Sequence, residues 1–349
     1  MKKAIVTILV MVLVLSSFAT AVYARQPDKA FTYDHTGEEA VPSSNIYQVK
    51  LIIDENVMGT TKMSTPTDIF VDKSDRIFVL DGGNSRILIL DKEYKCIKIL
   101  EEFTYKEETL TLAAGAQGLF FRDSNQTLYI ADTENNRILV TDLDGNVSRI
   151  HEKPVDELLD PKDEYKPKKI IVDNMGIMYV TSAQINTGAL LVDSANNFLG
   201  FYGVNKIKAS AEVLMEYFWR SIMTDAQNAQ SEMSFQPVEF YNMFWSEDRF
   251  VYAVSPINDK VASSVVKLNA LGNDVSPNTI EFSKDFLKSF HYSSAMMLVD
   301  ITVDDDGAIT LLEMHTGRLF QYDENCNLLA IFGGILVVSS EGAMLSLGS

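Results

Sequence analysis

Cysteine is nearly absent from this chain: Cys96 and Cys326 are the only two in 349 residues. A disulfide framework is excluded, so the fold has to rest on a buried core, which a chain of this length can supply. Both thiols follow an Asp-rich turn and precede an apolar run, so they hold comparable places in separate segments. Such positions seldom meet within disulfide reach, and free, largely buried thiols are expected. Histidine is scarce as well, with only His35, His151, His291 and His315. A zinc centre drawing imidazoles from several segments is not visibly provided for. Basic residues are also short in number: 30 Lys and Arg face 48 Asp and Glu, a net charge of -18. Binding nucleic acid through a basic face is thereby excluded, because that mode needs cations that displace the counterions of phosphate.

Long apolar runs are confined to the start. Residues 1 to 24 combine Lys2 and Lys3, an apolar stretch from Ala4 to Leu15 and small residues near Ala19 to Ala24, the layout of a secretory signal peptide. The stretch is too short to span a bilayer comfortably, and no second one follows, so no stable membrane span is expected after cleavage. The expected location is secreted, extracellular or at the cell surface. Residues 25 to 45 are polar, contain Pro27 and Pro42, show no periodicity, and read as a flexible leader.

What is present is a unit that recurs about every fifty residues, which is the signature of sheet modules arranged as a β-propeller. One copy runs Pro66-Thr67-Asp68-Ile69-Phe70-Val71, then Arg76-Ile77-Phe78-Val79-Leu80-Asp81, then Arg86-Ile87-Leu88-Ile89-Leu90. A second runs from Gln117 through Leu128-Tyr129-Ile130-Ala131-Asp132 to Arg137-Ile138-Leu139-Val140, in register with the first at a spacing of 51. The middle of the second strand in each unit is Phe78, Tyr129, Tyr179, Tyr252 and Thr310, at intervals of 51, 50, 73 and 58. The long interval holds an apolar stripe, with Val213, Leu214, Tyr217, Phe218, Ile222 and Met223 at helical spacing, so a helical insertion is expected over about 207–230. Tyr47 to Ile53 is expected as the outer strand of the last blade, closing the ring. After Gly334 the remaining residues suffice for a two-stranded remnant only. The expected architecture is therefore all-β, a propeller over 46–349 with five recognisable blades plus an incomplete sixth.

The string Leu128-Tyr129-Ile130-Ala131-Asp132-Thr133-Glu134-Asn135-Asn136-Arg137-Ile138 resembles the NHL repeat; Asp81 to Ile87 is a second good match and Glu313 to Leu319 a looser one. The resemblance extends over roughly residues 47 to 334 and implies an NHL-type propeller. It implies little about activity, since such families include scaffolds and sensors as well as lactonases and lyases with a metal in the central channel.

Asp81 and Arg86, Asp132 and Arg137, and Glu313 and Arg318 are each five apart, bracketing a tight connection between two strands. A guanidinium with five donors can meet the facing carboxylate and loop carbonyls together, so these six residues are expected as structural clasps of the repeat rather than catalytic groups. Asp304-Asp305-Asp306-Gly307 departs from a calcium loop at its first ligand, where Thr302 stands, and is read as a turn. No catalytic, cofactor or metal residue is assigned. The expected function is recognition or scaffolding of a protein or carbohydrate partner through blade loops. The alternative is a calcium- or zinc-dependent lactonase or lyase with its site in the channel, an analogy at the level of fold.

Overall fold

The computed structural model describes residues 30–33, 40–43, 47, 50–185, 188–203, 240–255, 265–280, 297–334, 336–338 and 344–346. The expected signal peptide, the helical insertion over 207–230, His35 and His291 lie outside the described residues. Two short strands, β1 (Phe31–Tyr33) and β2 (Ala40–Pro42), and one helical turn, α1 (Glu55–Met58), precede the first blade. Asp54 caps that turn, its Oδ1 accepting from the Asn56 and Val57 amides.

Blade 1 comprises β3 (Asp68–Val71), β4 (Ile77–Asp81), β5 (Arg86–Leu90) and β6 (Cys96–Leu100). A small hairpin, β7 (Phe103–Tyr105) and β8 (Glu108–Leu110), leads to blade 2, with β9 (Gly118–Arg122), β10 (Thr127–Asp132), β11 (Arg137–Thr141) and β12 (Val147–His151). Blade 3 has β13 (Lys166–Val172), β14 (Met178–Ala183), β15 (Ala189–Val192) and β16 (Phe198–Tyr202). Blade 4 has β17 (Asn242–Trp245), β18 (Val251–Val254) and β19 (Val265–Leu268), and blade 5 has β20 (Leu298–Val303), β21 (Ile309–Glu313), β22 (Arg318–Tyr322) and β23 (Leu328–Gly333). Every blade is an antiparallel meander. The first strands touch in the order β3, β9, β13, β17 and β20, so they line the axis. The described residues form a five-bladed β-propeller arrangement.

Strand alternation explains the core. Each blade has two apolar faces, and from blade 1 to blade 5 the facing surfaces of successive blades pack together: Phe78 and Leu80 of blade 1 meet Leu119 and Phe121 of blade 2, with the Phe78 and Phe121 rings stacked at 4.7 Å. The same scheme joins blades 2 and 3, 3 and 4, and 4 and 5. Most hairpins at one end of the ring share a turn begun by Asp or Asn; the β17–β18 turn begins at Ser246 and the β9–β10 turn is a single 3-10 turn over Asp123–Asn125. Asp72, Asp91, Asp142, Asp173, Asp193, Asp304 and Asp323 each accept, through Oδ1, the amides two and four residues on. Asp304 thus begins an ordinary turn. Cys326 stands in one of these turns at φ 66. Both cysteines are free and half-buried rather than fully buried, and burial raises both thiol pKa values.

Two expectations about the chain ends need correction. The segment 25–45 is not without regular structure, since it contains β1 and β2, and β1 adds to the outer edge of blade 5 with Phe31 opposite Ile331. The alternating Phe31-Thr32-Tyr33 is a competent strand, and the free amides and carbonyls of β23 offer it a template. The outer place expected for Tyr47 to Ile53 is thus taken by β1. Residues 50–53 carry no strand, while the Tyr47 ring stacks 4.7 Å from Phe332 and its hydroxyl accepts from Gln321. After blade 5 a separate hairpin, β24 (Leu336–Val338) with β25 (Met344–Ser346), pairs with no other described strand.

Candidate functional site

The residues singled out as clasps sit where β4 meets β5, β10 meets β11 and β21 meets β22. In blade 1, Arg86 Nε donates to Asp81 Oδ2 at 2.8 Å, and its other nitrogens donate to Thr61 and to the Lys62 carbonyl. The Ser64 amide donates to Asp81 Oδ1 at 2.7 Å. Blade 2 repeats this set: Arg137 Nε to Asp132 at 2.8 Å, Arg137 to the Thr111 carbonyl, and the Ala113 amide to Asp132. Each buried carboxylate therefore holds both its own hairpin and the incoming connection. In blade 5 the partners change. Glu313 accepts from the His315 and Thr316 amides and from the Thr316 hydroxyl, with His315 Nδ1 at 3.0 Å. The Arg318 guanidinium lies 5.7 Å above the Phe31 ring of β1.

One residue before each clasp position, the register pairs a second-strand residue with one on the axis. Leu80 faces Asp68, Ala131 faces Gly118, Thr181 faces Lys169, Val254 faces Asn242 and Leu312 faces Asp300. Five equivalent positions, one per blade, thus carry two acids, a glycine, a lysine and an amide. The sequence pattern gave no hint of this set, because repetition of position is hidden when residue identity changes.

The geometry links these residues. Lys169 Nζ reaches Asp68 Oδ1 at 2.6 Å, with both side chains largely buried. It does so across blade 2, where Gly118 contributes no side chain. A Cβ there would lie 2.1 Å from the Lys168 carbonyl oxygen, so blades 2 and 3 approach too closely for any other residue. Asp68 Oδ2 accepts the Leu119 amide at 2.8 Å. On the other side Asn242 Nδ2 donates to Asp300, which also accepts its neighbour's amide from Ile301. Burial pushes the Asp300 carboxyl above its ordinary range; the Lys169 charge opposes this and Asp68 reinforces it. The inner strands begin at the end where the clasps and the connections between blades lie, so this polar centre belongs to that end of the channel.

Among the described residues no group of three His, Cys, Asp or Glu side chains is placed to hold a metal. His151 is buried, 3.2 Å from Asn196 Oδ1, and burial lowers its pKa. The connection 152–165 is braced from within: Lys153 Nζ donates to the carbonyls of Asp160 and Asp163 at 2.5 and 2.6 Å. It buries Leu159 and Tyr165 yet leaves Val155 99% and Leu158 70% exposed. No helix among the described residues is long and apolar enough to cross a membrane.

No family model matches the chain, and no curated protein does. Solved structures of similar shape include the virginiamycin B lyase of Staphylococcus aureus, 9% identical, covering 81% of this chain and 84% of that one with a TM-score of 0.44. Kuenenia stuttgartiensis hydrazine synthase is 12% identical over 86% of this chain and 70% of that one, with a TM-score of 0.46. The extracellular domain of a hybrid two component system from B. thetaiotaomicron is 12% identical, covering 79% and 31% of the two chains with a TM-score of 0.45. At these values the assignment of fold rests on the strand topology described above.

Proposed function

We propose that this chain is a secreted, NHL-type propeller that recognises or scaffolds a protein partner at the connection-bearing end of the ring. The observation that carries this reading is the internally braced 152–165 connection with Val155 and Leu158 held out in water. A loop ordered before binding loses less entropy when it docks, and exposed aliphatic side chains suit a protein surface. A sugar, by contrast, is gripped by aromatic platforms and hydroxyl partners.

The channel favours this reading over a metal-dependent lactonase or lyase. Between the two axial carboxylates the Lys169 ammonium already neutralises Asp68, where a calcium or zinc ion would have to sit. Displacing it would place two positive charges together in a partly desolvated site.

The test compares wild type with a Val155→Asp, Leu158→Asp variant, both immobilised and exposed to the extracellular and cell-surface fraction of the source cells. A protein retained by the wild type and lost by the folded variant supports the proposal. Retention of a glycan instead, or stoichiometric calcium or zinc accompanied by metal-dependent lactone turnover, overturns it. Secretion is checked separately by sequencing the amino terminus of exported protein, which should begin near Val22 or Arg25.

A further inference from the structure

Four of the five blades bury the same two inner-strand positions against the blade before them. These are Leu119 and Phe121, Ile170 and Val172, Met243 and Trp245, and Ile301 and Val303, all 8% exposed or less except the half-buried Trp245. In β3 the equivalents are Ile69 and Val71, which are 59% and 55% exposed. The opposite wall agrees. Phe78 and Leu80, Tyr129 and Ala131, Tyr179 and Thr181, and Tyr252 and Val254 face the following blade and are buried, whereas Thr310 and Leu312 of blade 5 are only half-buried. Among the described residues the seam between blades 5 and 1 is thus unfilled near the axis.

Away from the axis it is covered. Val79, Leu88 and Leu90 pack under Met58, with Ile53 and Met63 beside them, and Phe332 packs with Ala30 beneath Tyr47. Among the described residues what stays open is a slot beside β3, where Ile69 and Val71 are exposed.

We propose that the hairpin β24–β25 occupies this slot as a two-stranded sixth blade, with β25 nearest the axis. Three observations argue for it. The hairpin directly follows blade 5, so chain continuity brings it to this seam and no other. Residues 335–349 include one charged side chain, Glu341, and an isolated two-stranded hairpin of such composition is marginal in water. Finally, only Gly334 and Ile335 separate β23 from β24. At roughly 3.5 Å per residue this link spans about 10 Å, whereas crossing from the fourth strand position to the first needs about 14 Å. The first hairpin strand therefore stops short of the axis, and the second one lies inside it, the reverse of the other blades.

The experiment uses the full chain with Cys96→Ser and Cys326→Ser, adding Ile69→Cys or Val71→Cys together with Met344→Cys or Leu345→Cys. Because neighbouring strand residues point to opposite faces, one of the two β25 positions should give an intramolecular disulfide under mild oxidation, and the other should not. A pair with Ile97→Cys, on the outer edge of blade 1, serves as the control and should stay reduced. Absence of any β25 cross-link, stronger cross-linking from Val337→Cys of β24, or bonds joining two chains would overturn the proposal. A second readout needs no new thiols: shortening the protein after Gly334 should increase binding of an apolar dye and lower the denaturation midpoint. No change in either measurement counts equally against it.

Discussion

Removing a guanidinium from a buried carboxylate leaves the charge behind. Asp132 is fully buried and takes Arg137 Nε, Asn135 and the Ala113 amide as donors. Arg137→Ala should lower stability by about 3–5 kcal/mol, as is typical when one member of a buried pair is deleted. Thermal melting checks this, and an unchanged melting temperature rules out the clasp. His151 makes a different prediction. Burial lowers its pKa below the ordinary 6.5, so on acidification the unfolded chain takes up the proton first. Stability should therefore fall as pH drops from about 6.5 toward the folded-state value, and His151→Gln should flatten that slope in urea titrations.

At the scale of elements, the N-terminal hairpin β1–β2 protects an edge. Without it the outer strand of blade 5 would present unpaired amides and carbonyls, a template for another chain. A protein beginning at Tyr47 is expected to associate at concentrations where the longer chain stays monomeric, a difference visible by size-exclusion chromatography. These elements also show how far the sequence was legible. The strands of blades 1 and 2 were readable because Asp81 and Asp132, and Arg86 and Arg137, recur in phase. The hairpin was missed because a three-residue strand such as Phe31–Tyr33 is too short to show a period, and what orders it is an edge made 300 residues away. The seam did leave a trace: Thr310 stands where Phe78, Tyr129, Tyr179 and Tyr252 supply the aromatic that fills the next interface. Its meaning became clear only once the direction of those side chains was known. The axial positions were illegible for a different reason, since Asp68, Gly118, Lys169, Asn242 and Asp300 share a place and no chemistry.

Across the whole molecule, the blades associate through successive apolar interfaces, and that packing sets most of the stability. The axial pair is a smaller contribution that can be isolated. A double-mutant cycle of Asp68→Asn with Lys169→Met should return a coupling of about 1–3 kcal/mol, although about one hundred residues separate the two positions in sequence. Additive effects within error would mean that the contact is energetically idle.

Proteins made of stacked modules ordinarily behave as a row in which each unit feels its immediate neighbours alone. The bare backbone at Gly118 breaks that rule by admitting a chord from blade 3 to blade 1. A ring carrying such a chord cannot be lengthened, shortened or spliced at will. Adding a module between its two anchors would pull the lysine out of reach and strand a desolvated aspartate, so the number of blades between them is set by the length of one side chain.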